Sequence, residues 1–446
     1  MGQHQQSLRR RLKFWHYLAV FGIVALLVAS CVTNPITGKQ QFNMVGKSQL
    51  LSLAREAAPS QFAADYGIVD DAQANAYVSQ IGRKLVATLA PSDVVYPDMP
   101  FNFQVVNAVY VNAYAFPDGT IAITRGMLAE LENEAQLAAV LGHEIAHVNC
   151  GHTASAMSKS MIYSALLTGA QLYMEHRESK YTELAGLAGQ IGGAMVLASY
   201  SREQERQADQ GGMMYMVRAG YDPRGMVDLT RLLVRLGNDN PSALERLFST
   251  HPVSAERLQA AQGRASVTYA GKNEGVVHKE AFLAATTGIR KNREAIKQFA
   301  KAESQIAKGQ YDAARDTAKE GLAMAPDDTV GLLLLAQASQ QAGDNKTARL
   351  AATRALQNNP RAIRAHGILA QAALKENDYN TALQHLNTFG RQVPGDLNTL
   401  FCRGMAHDKL GNKREAATLY NAYLQRAGAQ SKEGQFALGR LQQLSQ

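Results

Sequence analysis

The sequence predicts a mostly α fold with one small β-sheet, closed by a solenoid of paired helices. Three observations carry that expectation. The C-terminal third repeats every 34 residues: Pro326, Pro360 and Pro394 share one phase, Gly309, Gly343, Asn377 and Gly411 a second, and Ala314, Ala348, Ala382 and Ala416 a third. Upstream, Leu137, Val140, Leu141 and Ile145 recur at helical spacing behind Asn133 and Gln136, a capping-box-like start. Only Phe101 to Thr124 departs from the helical pattern. There Phe101, Phe103 and Val105 alternate with polar residues, and Thr120–Thr124 follows the turn Pro117-Asp118-Gly119, which predicts a small sheet with a hairpin.

The 34-residue period is that of the tetratricopeptide helix–turn–helix. Glycine serves the turn inside each pair, alanine lets the second helix approach closely, and proline precedes the next repeat. About four repeats are expected from Asn292, with a last helix from about Lys432 to Leu444. Apolar stripes such as Leu332–Leu335 and Ile368–Leu374 would join them into one core.

Composition sets the outer limits. At 446 residues the chain has room for two or three domains of roughly 150 residues each. With 46% hydrophobic and 19% charged residues it can bury a core, so a disordered chain is excluded. Three cysteines exclude a disulfide scaffold and a four-cysteine zinc site. The net charge is +8, but Arg9, Arg10, Arg11 and Lys13 supply four of it without an acid in the first 30 residues. The +4 left for the rest does not argue for nucleic acid.

That basic cluster precedes an apolar run, Leu18 to Val28, of 11 residues. The run is short of the ~20 residues that span a bilayer and fits the three-part pattern of a secretory signal. It ends at Val28-Ala29-Ser30-Cys31, which resembles a bacterial lipobox and makes Cys31 the expected lipidated residue. Val32 in the next place, where aspartate would signal retention, favours the outer membrane. Cys150 and Cys402 are expected as two buried free thiols. The resulting division is 1–30 lipoprotein signal peptide, 31–44 tether, 45–262 catalytic domain, 263–291 linker or docking segment and 292–446 repeat domain.

His143-Glu144-Ile145-Ala146-His147 falls within the helical window. Positions i and i+4 lie one turn apart on one face, so both imidazoles can reach one Zn²⁺ at about 2.0–2.1 Å. Glu144 points to the side, where it can take a proton from a metal-bound water and pass it to a leaving amine. The third ligand of a catalytic zinc is sought in Ser201–Asp209. Glu205 and Asp209 share a helix face, and Asp209 can accept the N–H of a ligand imidazole; spacing alone leaves Glu203 open beside Glu205.

Taken together, His143–His147, the pattern Ser201-Arg202-x-x-Glu205-x-x-Ala208-Asp209, and the stretch Asn112-Ala113, Gly119-x-Ile121 and Arg125-Gly126-Met127-Leu128 resemble one family. It is the zinc-dependent (gluzincin) peptidase family that holds the CaaX prenyl protease and HtpX; the lipoprotein-like signal and the repeats resemble its periplasmic branch. The resemblance implies a gluzincin-type zinc metalloprotease domain followed by a tetratricopeptide-repeat α-solenoid, with one Zn²⁺ per chain. It implies Glu205 as third ligand and Asp209 as the orienting acid. His251-Pro252 with Arg257 resembles the family's His-Pro…Arg pair. His251 and Arg257 are then expected either to stabilise an oxyanion or, for His251, to sit on the metal as a fourth ligand that holds the enzyme off. His152 is expected to be structural and Cys150 a core thiol. The runs Met161–Tyr173 and Leu184–Leu197 are too short and polar to span and read as core helices or a lid.

Function follows as an expectation. The chain reads as a lipid-anchored zinc metalloendopeptidase on the periplasmic face of the outer membrane, acting on unfolded or stalled envelope proteins. Thr120, Ile121, Ala122 and Ile123, with Asn112 and Ala113, form an expected edge to which a substrate adds as a strand. The rival reading is a chaperone or scaffold for outer-membrane assembly, with partners on the repeats and a latent protease site. No nucleic acid is expected as partner.

Overall fold

The computed structural model describes residues 31–162, 200–239, 245–252, 254–272 and 274–444. The 1–30 segment lies outside these residues, as does all but the first two residues of Met161–Tyr173 and the whole of Leu184–Leu197. No described helix is long and apolar enough to cross a membrane.

The described chain starts with an antiparallel hairpin, β1 (Cys31–Thr33) and β2 (Gln40–Phe42). Asn34 builds its turn: the Oδ1 atom accepts the N–H groups of Ile36 and Thr37, each at 3.0 Å. The tether expected over 31–44 is therefore corrected. The polar, turn-rich composition folds a hairpin, and its side chains seat it on the body. Gln41 Nε2 donates to the Cys150 carbonyl at 2.5 Å, and Asn43 Nδ2 donates to the Tyr96 hydroxyl at 2.7 Å.

Helices α1 (Lys47–Ala64) and α2 (Ala72–Val86) lead into a three-stranded sheet of β3 (Asn102–Val106), β4 (Ala113–Ala115) and β5 (Thr120–Thr124). The order is β3-β5-β4, with β3 parallel and β4 antiparallel to β5. The expected edge at Thr120–Thr124 is thus corrected: β5 is the central strand, and β3 and β4 are the edges. The turn, with Gly119 at φ 90°, folds β4 onto one side of β5. The strand arriving from α2 takes the other side, and all of Ile121–Thr124 is buried.

Next come α3 (Arg125–Glu130) and α4 (Glu134–Asn149). Asn133 caps α4, its Oδ1 accepting the Gln136 N–H at 2.9 Å, and every residue of α4 is buried. α4 runs through the core as the axis of this half of the molecule. Helix α5 (Arg202–Arg218) lies along it at backbone contact: a Cβ on Gly212 would stand 2.7 Å from the His143 nitrogen, so only glycine fits there. α6 (Arg224–Asp239), α7 (Glu245–Thr250) and α8 (Ala255–Gly263) complete the layer around α4 and α5.

Residues 263–291 pack onto this body. The Val277 carbonyl accepts the Glu134 N–H at 3.1 Å at the start of α4, and Phe282, within α9 (Lys279–Ala285), is fully buried. After α10 (Thr287–Arg290) the solenoid begins. Its helix pairs are α11 (Arg293–Ala307) with α12 (Tyr311–Met324), and α13 (Thr329–Gln341) with α14 (Asn345–Asn358). The next are α15 (Ile363–Lys375) with α16 (Tyr379–Gln392), and α17 (Leu397–Lys409) with α18 (Lys413–Ala427). Helix α19 (Lys432–Leu444) packs on the last pair. The period has a simple cause. Gly309, Gly343, Asn377 and Gly411 all hold positive φ (73°, 87°, 59° and 79°) in the turn inside each pair, and Ala314, Ala348, Ala382 and Ala416 are each 0% exposed where helices touch.

The two halves share one apolar cluster, from Val105 and Met127 through Phe282 and Phe299 to Leu369. Around it Arg125 grips Asp328 with two hydrogen bonds of 2.7 and 2.9 Å, and Arg293 holds Glu130 at 2.6 and 3.1 Å.

Candidate metal centre

Helix α4 presents His143 and His147 on one face, with their Nε2 atoms 3.0 Å apart. Helix α5 brings Glu205 opposite, its Oε1 lying 3.3 Å from His147 Nε2 and its Oε2 3.6 Å from His143 Nε2. His251 follows α7 and enters from a third direction. Its Nδ1 is 3.0 Å from Glu205 Oε1 and 3.4 Å from His143 Nε2. One donor atom from each of these four buried residues lies within 4.8 Å of the others.

The donor set fits a divalent cation. His143 Nδ1 donates to Asp209 Oδ1 at 3.0 Å, which leaves the Nε2 lone pair facing the cluster. A second imidazole and a carboxylate converge on the same point. Charge agrees with that reading. Burial opposes ionisation of Glu205, yet the facing His251 and His143 hold its pKa well below the usual value. Burial pushes His147 well below the ordinary imidazole value, so the ring stays neutral. Burial works against the His251 cation too, but Glu205 and Glu144 outweigh it and raise that pKa.

Glu144 stands beside the cluster, 3% exposed, and burial raises its pKa against the pull of His251 and His143. Its Oε1 is 3.8 Å from His251 Nε2, and its Oε2 has no hydrogen-bond partner among the described residues. A narrow cavity opens there, walled by Ala113, Met127, Val140, Leu229 and Leu247. Ala113 belongs to the edge strand β4, so that strand, and not Thr120–Ile123, borders the cavity. Asn112 is tied by its backbone to Thr124, accepting that N–H at 3.0 Å.

Arg257 departs from the oxyanion role. Its Nε and Nη2 donate to Asp209 at 2.8 and 2.7 Å, its Nη1 donates to the Pro252 carbonyl at 3.1 Å, and Nη1 lies 2.7 Å from Glu205 Oε2. With both acids claiming it, the guanidinium positions them at the wall of the cavity. Burial alone would raise Asp209, but Arg257 and His143 hold that carboxyl well below the usual range.

Three contacts had no sequence signal. The Tyr200 ring stacks on His147 with centroids 3.8 Å apart. His152 Nδ1 meets His147 Nδ1 at 2.8 Å, and Gln207 Oε1 meets His152 Nε2 at 2.9 Å. Cys150 and Cys402 are buried free thiols, and burial raises the Cys150 pKa to about 12.

Two histidines one turn apart, a glutamate between them in sequence, and a second acid from a neighbouring helix define a domain of the metallopeptidase class. Residues 72–265 match the model of peptidase family M48. The chain is 28% identical over 267 residues to the beta-barrel assembly-enhancing protease of Yersinia pestis, which covers 55% of this chain and 53% of that protein. It is 29% identical over 265 residues to metalloprotease LoiP of Escherichia coli (strain K12), covering 55% of this chain and 97% of that one. The chain therefore spans about half the length of the first of these relatives. A solved structure, the TPR protein YrrB with an unusual peptide-binding site, overlaps 46% of this chain and 97% of its own at 14% identity and a TM-score of 0.30. The solenoid is read from this chain's own helix pairs.

Proposed function

We propose that the chain is a zinc metalloendopeptidase of the bacterial envelope, anchored by lipid at Cys31 and restrained by His251. The observation that carries this reading is the buried convergence of His143, His147 and Glu205 beside Glu144. His143, His147 and Glu205 would hold one Zn²⁺, which when bound acts as a Lewis acid towards water and the scissile carbonyl. Glu144, adjacent to His143 and otherwise unpaired at Oε2, takes the proton of the attacking water and returns it to the leaving amine. Asp209 fixes the ring of His143, and Arg257 holds Asp209. The edge strand β4 at Ala113 is where an extended substrate would pair.

His251 supports the restrained form. Its Nδ1 lies among the ligand atoms, where it would complete a four-coordinate set and close the position that water needs. A specific observation also keeps the assembly-scaffold reading in view. Between α1 and the solenoid lies a cavity of about 550 Å³, bordered by Gln337, Gln341, Arg364, Gln371, Phe389 and Asn398. Amides and an aromatic ring suit an extended chain, and the clients proposed are unfolded or stalled envelope proteins, including β-barrel proteins in assembly. Arg246 lines the same cavity from α7, five residues before His251, so occupancy there is placed to move the histidine.

The deciding experiment combines metal content with casein hydrolysis. Purified protein should hold one zinc per chain. Glu144→Gln should keep the metal and lose activity, while Glu205→Ala should lose the metal. Stoichiometric zinc retained by Glu205→Ala would overturn the ligand assignment.

A further inference from the structure

We infer that the N-terminal hairpin is a positioning element of the metal centre, acting through Asn34, Gln207 and His152 to fix which ring nitrogen of His147 faces the metal. This rests on the metal reading above. The argument is a count of protons. Gln207 Oε1 is met by two groups, Asn34 Nδ2 at 2.9 Å and His152 Nε2 at 2.9 Å. An amide oxygen only accepts, so His152 carries its proton on Nε2. A neutral imidazole has one N–H, which leaves His152 Nδ1 as an acceptor. That atom faces His147 Nδ1 at 2.8 Å, so the proton between them belongs to His147. His147 is then left with its lone pair on Nε2, the atom that points at His143 and Glu205.

The direction of this relay is set at the hairpin. Asn34 Oδ1 is committed to the N–H groups of Ile36 and Thr37, so its amide nitrogen must face outward, to Gln207 and to Gln41 Oε1 at 3.1 Å. Gln41 is oriented in turn by the Cys150 carbonyl, and Gln207 Nε2 by Glu203 Oε1 at 3.3 Å. Backbone groups therefore decide the orientation of Asn34 and Gln41, and the Glu203 carboxylate agrees with them at Gln207. Asn34, His152 and His147 are 2%, 1% and 2% exposed, and Gln207 between them is half-buried. The stacked Tyr200 ring holds the plane of His147.

The test measures zinc affinity of the full chain by competition with a chromogenic chelator. N34D keeps the turn acceptor but turns a second acceptor towards Gln207. Q207L removes the link, and Q207E keeps an accepting oxygen. Partners that orient a ligand imidazole are worth about 10–100-fold in metal affinity. N34D and Q207L should each weaken zinc binding by about that factor, the double variant should be no weaker than the worse single, and Q207E should stay near wild type. Melting of the metal-free proteins checks folding; should N34D fail to fold, Q207L against Q207E decides alone. Unchanged affinity in N34D and Q207L, or effects that simply add, would overturn the inference. A wild-type chain that binds no zinc would overturn the metal reading together with it.

Discussion

Removing Asp328 should uncouple the solenoid from the protease half. Asp328 and Arg125 are 5% and 9% exposed at their side chains and meet in a two-pronged pair of 2.7 and 2.9 Å. Asp328 also caps α13, accepting the Gly331 N–H at 2.9 Å. Breaking a buried pair costs about 3–5 kcal/mol, because the remaining charge is left uncompensated. A lost N-cap adds about 1 kcal/mol. Asp328→Ala should therefore lose about 4–6 kcal/mol, and Asp328→Asn, which keeps an acceptor for the cap, about 1 kcal/mol less. Replacing both charges with R125M/D328A should recover part of the loss. Burial alone would raise the Asp328 pKa, but Arg125 and the capping N–H groups lower it. Its contribution is accordingly complete above the unfolded value near ~3.9 and fades as pH falls through the folded value, so wild type and Asp328→Asn converge on acidification. The assay is urea unfolding followed by far-UV circular dichroism, since the single tryptophan, Trp15, lies within residues 1–30, outside both halves. A loss below about 0.5 kcal/mol in Asp328→Ala, the size of an ordinary surface change, would refute the reasoning.

Other perturbations test the site and the anchor. His251→Ala should raise basal peptide turnover at equal zinc content; a drop of roughly 10²–10³-fold would instead make His251 an oxyanion donor. Gly212→Ala drives a Cβ to 2.7 Å from the His143 nitrogen and should destabilise by about 1–3 kcal/mol while loosening zinc, read by thermal melting and metal content. Cys31→Ser, or globomycin treatment, should release the protein from the membrane fraction; a variant that stays bound would refute a lipid anchor at that residue.

The fold was legible wherever one residue type answers one physical demand. A left-handed turn asks for glycine or asparagine and a close helix crossing asks for alanine, so the 34-residue phase showed in Gly309, Asn377 and Ala348 without any structure. The i, i+4 spacing likewise put His143 and His147 on one helix face. Pairing across the chain left no such trace. The turn at Gly119 announced a hairpin, but nothing local says that Asn102–Val106 joins the other side of Thr120–Thr124. Arg257 read as an oxyanion donor because its partners, Asp209 and Glu205, are 48 and 52 positions away. Asn34 and Gln207 are 173 residues apart, and each alone looks like an ordinary polar residue.

The docked hairpin also sets a height. Asn34 is buried only three residues beyond Cys31, and three residues reach at most about 10 Å. A protein held by acyl chains at Cys31 would not swing through a hemisphere as one on a long leash does. It would ride close above the lipid at nearly one attitude, with the mouth of its cleft confined to a thin layer. Chains emerging from or arriving at the bilayer would cross that layer, while those diffusing deeper in the compartment would pass beyond its reach.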